Sequence, residues 1–161
     1  MSNPDLVARA KSAFKHMAKS VYILSASAEG RRHATVSTAI CNVSNDPPSL
    51  LICMEKTASF SQLLAPGTGF AVNILGAGQR AVVDHCMSAS GEARFEVGEW
   101  TTLGGQPALS GAQATFIARV NTIESYQTHN IVIADIEDSV YSEEHSALVY
   151  VNGTFVPLPA P

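Results

Sequence analysis

The sequence is poor in charge, in cysteine and in long apolar runs. Only 15% of its 161 residues are Asp, Glu, Lys or Arg, and the formal net charge is −4. This acidic balance argues against nucleic acid or an anionic membrane as the main partner. The low charge also leaves apolar surface, which we expect a second subunit or a large ligand to cover.

The three cysteines, Cys41, Cys53 and Cys86, are odd in number and show no CxxC spacing. We therefore expect free thiols and a reducing compartment rather than a disulfide framework. No apolar stretch approaches the roughly 18 residues of a membrane span, and residues 1–20 lack the apolar core of a signal peptide. The sequence is thus interpreted as that of a cytoplasmic protein without a membrane partner.

Hydrophobic periodicity is helical over residues 4–19 and strand-like afterwards. The predicted strands are 21–27, 34–43, 49–54, 70–75, 114–125, 129–142 and a C-terminal hairpin that turns at Asn152-Gly153. Short helices are predicted at 59–65 and 78–87, and residues 88–111 are expected to be rich in loops. About seven strands with few helices predict a mainly antiparallel β-barrel, formed as one domain over residues 1–161.

A dinucleotide-binding fingerprint is suggested by Gly76, Gly78 and Ala81, which lie between a predicted strand and a predicted helix. A Rossmann unit also requires a second parallel strand that ends in Asp or Glu about 20 residues later. The segment that follows, SASGEARFEVGEW, is polar and broken by glycine. We therefore favour a tight turn before a helix at this point.

Metal binding and nucleophilic catalysis have little support in the sequence. The five histidines are scattered, without HExxH or paired CxxC spacing, so we expect no metal site. No Ser or Cys stands with a His in a local nucleophile pattern.

Two polar clusters lie beside apolar strands. Thr35, Ser37 and Thr38 supply hydroxyls on one predicted strand, and residues 55–59, which include Lys56, open a helix. A helix N-terminus with exposed N–H groups, hydroxyls and a lysine can hold a phosphate. Threonine in a strand and serine at a helix start also have ordinary structural roles, so both interpretations stay open.

A series of short segments resembles the short-chain NAD(P)H:flavin reductases, in particular those that serve 4-hydroxyphenylacetate 3-monooxygenases. In chain order these segments are TVSTAICNVSNDPPSLLIC, FAVNIL, HCM, ARF, Trp100, GQPALSGAQATF, QTHNIVIADI and ALVYVNGTFVPL. The resemblance runs from about Phe14 to Leu158. It implies an antiparallel, FMN-binding split barrel of the Greek-key type with a few short flanking helices, assembled as a homodimer.

The resemblance also implies which residues surround the flavin. The strand 34–43 would follow the ring and ribityl chain, residues 54–59 would hold the phosphate, and the Arg-Phe pair would lie beside the flavin. The implied cofactor-binding residues are Thr35, Val36, Ser37, Thr38, Met54, Lys56, Thr57, Ala58, Ser59, Arg94, Phe95 and Tyr150. His129 matches a histidine near the nicotinamide and is the one implied catalytic residue. On its own, a histidine that opens an apolar strand would be interpreted as structural.

The function implied is hydride transfer from NADH or NADPH to FMN or FAD, which supplies reduced flavin to a partner monooxygenase. Such chemistry belongs to the cofactors, which explains why no acid–base constellation stands out. Ala34, Val36, Gln127 and Ala58 depart from the family's usual residues and leave the choice of flavin open. Two alternatives also stay open: a protein with bound FMN that reduces a corrinoid cobalt or ferric centre, and a non-catalytic flavin- or haem-binding barrel.

Overall fold

The computed structural model describes residues 3–160, most of which lie in antiparallel strands. Within these residues the strands are β1 (Lys19–Ser20), β2 (Tyr22–Ala28), β3 (Arg31–Ser37), β4 (Ile40–Asn45), β5 (Pro48–Glu55), β6 (Gly69–Ile74), β7 (Trp100–Leu103), β8 (Gln106–Leu109), β9 (Ala114–Tyr126), β10 (His129–Tyr141), β11 (Leu148–Val151) and β12 (Thr154–Pro157). The helices are α1 (Pro4–Phe14), α2 (Ser59–Leu63) and α3 (Arg80–Ser88), with 3₁₀ helices at Ala77–Gln79 and Gly91–Phe95. None of the helices within residues 3–160 has the length and apolarity needed to span a bilayer.

Helix α1 begins where its sequence can cap it. The Asn3 side chain accepts hydrogen bonds from the backbone N–H groups of Asp5 and Leu6, at 3.0 and 3.3 Å. The helix ends at Phe14, so the prediction of helix to residue 19 is wrong at its C-terminal end. Strand pairing explains the difference, because Lys19 lies opposite Tyr150 in the three-stranded sheet β1-β11-β12.

Seven strands form the main sheet in the order β3-β2-β6-β9-β10-β5-β4, and every neighbouring pair is antiparallel. The two edge strands, β3 and β4, are separated in the chain only by Thr38 and Ala39. The two edges of the sheet therefore meet at this corner, and the sheet curls into a barrel. The predicted antiparallel β architecture is confirmed.

The prediction of one continuous strand over 34–43 is wrong, because the chain breaks at the same corner. The first half pairs with β2, where Thr35 lies opposite Leu24, and the second half pairs with β5, where Ile40 lies opposite Ile52. No local sequence signal marks the break, since it is set by the two different partners.

The Rossmann alternative is excluded by the neighbours of β6, which are β2 and β9, both antiparallel. Residues 88–111 are also more regular than predicted. They contain the 3₁₀ helix Gly91–Phe95 and the hairpin β7–β8, which turns at two glycines in the left-handed region, Gly104 and Gly105. Strands of four residues that pair only with each other give a weak periodic signal, so the prediction missed them.

Two apolar cores flank the strands. The first fills the barrel and includes Phe60, Phe70 and Ile52, each at most 2% exposed. The second lies between the barrel, α3 and β11, and includes Leu75, Val83, Leu148, Phe95 and Ala34. The second core includes Ala34 of β3, and Val36, two residues along the same face, packs against it.

A fully buried asparagine connects its own strand, β6, to β2, β8 and β9 near the second core. Asn73 donates to the carbonyl oxygen of Ile23 at 2.9 Å and to the Ser25 hydroxyl at 3.0 Å. Its Oδ1 accepts from the backbone N–H of Leu109 at 2.9 Å and from the Thr115 hydroxyl at 3.1 Å. The asparagine of the FAVNIL segment therefore has a structural role, because it satisfies the backbone groups of neighbouring elements.

Candidate functional site

A polar cleft of about 250 Å³ lies between β3, the start of α2 and the 3₁₀ helix Gly91–Phe95. Its walls are formed by His33, Ala34, Ser59, Phe60, Ser90, Gly91 and Arg94. Of the predicted cofactor-binding residues, the structure brings Ser59 and Arg94 together here. They are distant in sequence and become neighbours only because α2 and the 3₁₀ helix both pack against β3.

The hydroxyl-bearing face of β3 points towards α2. Thr35 and Ser37 lie opposite Leu24 and Tyr22, whose side chains belong to the barrel core or pack against it. Phe60 of α2 belongs to the same core. The hydroxyl groups on β3 and the polar cluster at the start of α2 therefore lie on the same side of β3.

The turn before α2 presents donors that the protein itself does not cap. Ala58 is the N-cap residue, and within residues 3–160 no side chain caps this helix. The first N–H groups of a helix have no partner inside it, so they are available to an acceptor. Lys56 is held beside them, since its backbone N–H donates to the Thr128 carbonyl at 3.1 Å and its ammonium donates to the Gln127 carbonyl at 2.7 Å.

Arg94 is half-buried and fastened on both sides of the cleft. Its Nε donates to the Ala89 carbonyl at 3.0 Å, and its Nη1 donates to the carbonyl of Ala34 on β3. No residue of the described chain accepts a hydrogen bond from Nη2, so this amino group is available to an anion. The methyl group of Ala34 packs into the second core.

His129 opens β10 next to the Lys56 turn but outside the cleft. It lies opposite Glu55 on β5, and its Nδ1 is 2.9 Å from the Thr128 hydroxyl. The next residue, Asn130, donates to the Ser61 hydroxyl of α2 at 3.2 Å, so His129 points to the opposite face of the sheet. Cys53 and Ile131 share that face with His129.

A second groove, of about 420 Å³, begins at the far end of β3. Thr38, Tyr22, Cys41 and Cys53 line it together with residues 17–20. Residues 35–37 of β3 separate Ala34 in the cleft from Thr38 in the groove, which corresponds to about 13 Å of extended chain. The hydroxyl face of β3 thus connects a polar cleft to a largely apolar groove.

Four predicted cofactor-binding residues are packed against or buried in the protein cores. Met54 and Phe95 are only 7% and 6% exposed, and Phe95 contacts Trp100 edge to face with ring centroids 4.7 Å apart. Val36 and Tyr150 pack against the second core. Ser59 and Arg94 thus line the cleft, whereas these four residues lie in or against the cores.

The prediction missed His33, Ser90 and Gly91. His33 lies on β3 two residues before Thr35 and lines the cleft. Strand alternation was the available signal, because extending the predicted strand 34–43 back by one residue places His33 on the face of Thr35 and Ser37. Ser90 and Gly91 gave no such signal, since they lie in the segment interpreted as loop.

Two ionisable groups near the cleft have shifted pKa values. Burial raises the pKa of the Cys86 thiol, although the nearby Arg94 charge acts in the opposite direction. Hydrogen bonds from the side chain and backbone of Arg32 lower the pKa of Glu92. Among residues 3–160, no group of three or more His, Cys, Asp or Glu residues is arranged to hold a metal ion.

Comparison with known proteins places this geometry in context. The family described as "Flavin reductase like domain" matches residues 14–159. The 4-hydroxyphenylacetate 3-monooxygenase reductase component of Pseudomonas aeruginosa is 26% identical over 155 residues, covering 94% of this chain and 91% of its own. The FMN reductase (NADH) RutF of Pseudomonas syringae pv. syringae is 28% identical over 152 residues, covering 93% and 85%.

A solved structure from Haemophilus somnus 129PT, described as a flavin reductase, has the same fold. It superimposes with a TM-score of 0.86 at 31% identity, covering 94% of this chain and 99% of its own. The agreement therefore extends over nearly the whole length of both chains.

Proposed function

The chain belongs to the flavin reductase like domain family, and on that premise we propose that it is an NAD(P)H:flavin oxidoreductase. The family match over residues 14–159 is the observation that carries the proposal. The flavin, FMN or FAD, supplies the hydride acceptor when it is bound, and NADH or NADPH supplies the hydride. We take the whole of residues 1–161 as one domain with this activity.

The donors in the cleft suit the phosphate end of a flavin. Ser59 and the uncapped N–H groups of α2 offer hydrogen bonds, and the free amino group of Arg94 offers a charge-assisted one. Lys56 adds a second positive charge at the turn. Thr57 and Ala58 would contribute backbone groups of the same turn.

The ribityl chain and the ring would lie along β3, towards the apolar groove. Thr35 and Ser37 present hydroxyls that can pair with ribityl hydroxyls, and Thr38 lines the groove where an apolar ring would be covered. Buried side chains such as Met54, Val36 and Phe95 would support this surface from behind.

His129 is the residue we propose to contact the reacting groups. A histidine N–H can donate to a nicotinamide amide or to charge that develops on the flavin, whereas orientation and exclusion of water account for the remaining contribution of the protein. Tyr150 would contribute to the nicotinamide side of the site. Thr128, which contacts Nδ1, fixes the orientation of the imidazole ring.

Two surfaces support assembly as a homodimer. Helix α1 is amphipathic but buries none of its residues, and Phe14 and Met17 are 60% and 53% exposed. Cys41 and Val43 on the edge strand β4 are exposed as well. A second copy would cover these apolar groups and close the groove where we place the flavin ring.

The resemblance to a monooxygenase reductase component suggests where the electrons go. That relative serves 4-hydroxyphenylacetate 3-monooxygenase, so we propose that this cytoplasmic enzyme passes reduced flavin to a separate oxygenase. The visible spectrum of the purified protein, followed by NADH oxidation with and without added FMN or FAD, tests the proposal. A colourless protein that oxidises NADH only with added flavin supports it. A yellow protein that NADH bleaches, but that turns over slowly with free flavin, would instead favour a bound cofactor and another acceptor.

A further inference from the structure

An ion pair that the sequence did not identify joins β3 to the 3₁₀ helix beside the cleft. The Glu92 carboxylate of the 3₁₀ helix accepts three hydrogen bonds from Arg32 on β3: from Nε at 3.0 Å, from Nη2 at 2.8 Å and from the backbone N–H at 2.7 Å. The Arg32 guanidinium also lies 4.3 Å from the centroid of the Phe95 ring. One arginine therefore holds both ends of a short helix against the strand.

Exposed ion pairs usually contribute little, and both of these side chains are about half exposed. This pair differs from an ordinary one in three ways. Two guanidinium donors converge on one carboxylate oxygen, a backbone donor binds the other oxygen, and the guanidinium stacks on a buried aromatic ring, so the geometry of the pair is fixed in more than one direction.

The segment that this pair holds is also the segment that carries the cleft's cation. Ser90, Gly91 and Arg94 form one wall of the cleft, and His33 and Ala34 of β3 form the facing wall. The distance between the walls depends on how the 3₁₀ helix docks on β3. A bond from His85 Nε2 to the Ala93 carbonyl, 2.7 Å long, holds the same segment from α3 but does not connect it to β3.

We propose that Arg32 and Glu92 form a positioning clamp that fixes Arg94 for the phosphate ester of the flavin, without affecting how the ring is bound. The inference rests on the proposed function, since it takes the flavin as the ligand. Arg32 and Glu92 are positioning residues, because they act through Arg94 and the cleft wall.

Comparison of FMN with riboflavin separates this role from general structural support. Riboflavin has the same ring and ribityl chain but no phosphate, so a clamp that serves the phosphate leaves its binding unchanged. Glu137→Gln is the matched control, because Glu137 of β10 forms an exposed pair with Arg119 of β9 in which two guanidinium donors also bind the carboxylate. Arg32→Lys is a conservative variant that keeps the positive charge but removes the planar guanidinium group and its paired N–H donors.

Calorimetric titration of the wild-type protein and the three variants gives the test. We expect Glu92→Gln to weaken FMN binding about fivefold, a modest loss in keeping with an exposed pair. Riboflavin binding stays the same, Arg32→Lys shows an intermediate loss for FMN, and Glu137→Gln matches the wild type with both ligands. Hydrogen exchange of amides 91–95 becomes faster in Glu92→Gln and not in Glu137→Gln.

Three results would overturn the clamp. Equal weakening of FMN binding and riboflavin binding by Glu92→Gln would mean that the pair has a merely structural role. Unchanged FMN affinity would mean that the pair does not contribute to FMN binding. A wild-type protein that binds the two ligands equally well would mean that the phosphate is not recognised. If the wild-type protein binds neither FMN nor riboflavin, both the proposed function and the clamp are wrong. Each of the three results above would overturn the clamp alone, because the protein would still bind flavin.

Discussion

The Lys56 ammonium group donates a hydrogen bond of 2.7 Å to the backbone carbonyl of Gln127, which connects the turn before α2 to the turn before β10. Gln127 has a φ of +47°, in the left-handed region that non-glycine residues rarely adopt. This contact holds the residue before Thr128-His129 beside the turn that we assign to the flavin phosphate. The two sides of the proposed site are therefore joined by one side chain.

Replacement of His129 by alanine should lower NADH-dependent turnover by about tenfold to a hundredfold, with little change in flavin affinity. The reason is that His129 faces away from the cleft and would contact the nicotinamide side. Steady-state kinetics with saturating flavin, together with flavin titration, measure the two effects. His145→Ala is the control, because His145 is an exposed histidine elsewhere on the surface. Unchanged turnover would make His129 a structural residue.

Replacement of Lys56 by methionine should weaken FMN binding by about tenfold, the effect of one lost charge-assisted contact. Riboflavin should be affected much less, since it carries no phosphate. Calorimetric titration with both ligands measures the difference, and Lys11→Met on the exposed face of α1 serves as the control. Equal losses for the two ligands would indicate that Lys56 acts only by holding the Gln127 turn.

Replacement of Asn73 by alanine should destabilise the fold by about 3 kcal/mol, because the buried backbone groups of Ile23 and Leu109 lose their partners. Urea denaturation followed by circular dichroism measures this loss. Asn121→Ala is the matched control, since Asn121 is exposed and makes a single contact with Asp135. A loss no larger than that of the control would contradict the structural role of Asn73.

The contribution of Glu92 to stability should depend on pH. Its pKa in the folded protein lies below the ordinary value of 4.5, because of the hydrogen bonds from Arg32. The stabilisation is therefore present above about pH 4.5 and is lost as the pH falls through the folded pKa. Melting temperatures should show wild type above Glu92→Gln at pH 7, with the difference shrinking as the pH falls through the folded pKa of Glu92. A difference that persists in acid would contradict the ionic origin of the clamp.

The cysteines should differ strongly in reactivity. Cys41 is exposed, whereas Cys86 is 1% exposed and its pKa is raised by burial, so little of its reactive thiolate form exists at neutral pH. Because the proposed dimer would cover Cys41, a thiol reagent should modify Cys41 in protein diluted to the monomer, and Cys86 only after unfolding. The variant Cys41→Ser should lose the fast phase. A fast phase that survives in this variant would have to be reassigned to another thiol.

The sequence predicted the elements whose signals are local. The hairpin at Asn152-Gly153 is confirmed, with positive φ at both residues, because that pair of residues favours the turn on its own. The break at Thr38-Ala39 and the end of α1 at Phe14 could not be predicted, since each depends on a partner strand elsewhere in the chain.

At the candidate functional site too, residues with a local sequence signal were predicted, whereas contacts between distant residues were not. Ser59 and Arg94 were predicted because short segments around them resemble those of related proteins, and the structure places both in one cleft. The pairing of Arg32 with Glu92 was not predicted, because sixty residues separate them and neither stands in a motif. The direction in which Met54 and Phe95 point also follows from packing, which a segment match does not encode.

Anaerobic reduction of FMN by NADH, with the protein present in catalytic amount, tests the central claim most directly. If the protein is an NAD(P)H:flavin oxidoreductase, it will bleach many equivalents of FMN. The rate will be proportional to protein concentration and well above the rate of the uncatalysed mixture. A rate equal to that of the mixture without protein, with NADH and with NADPH and for both FMN and FAD, would contradict it.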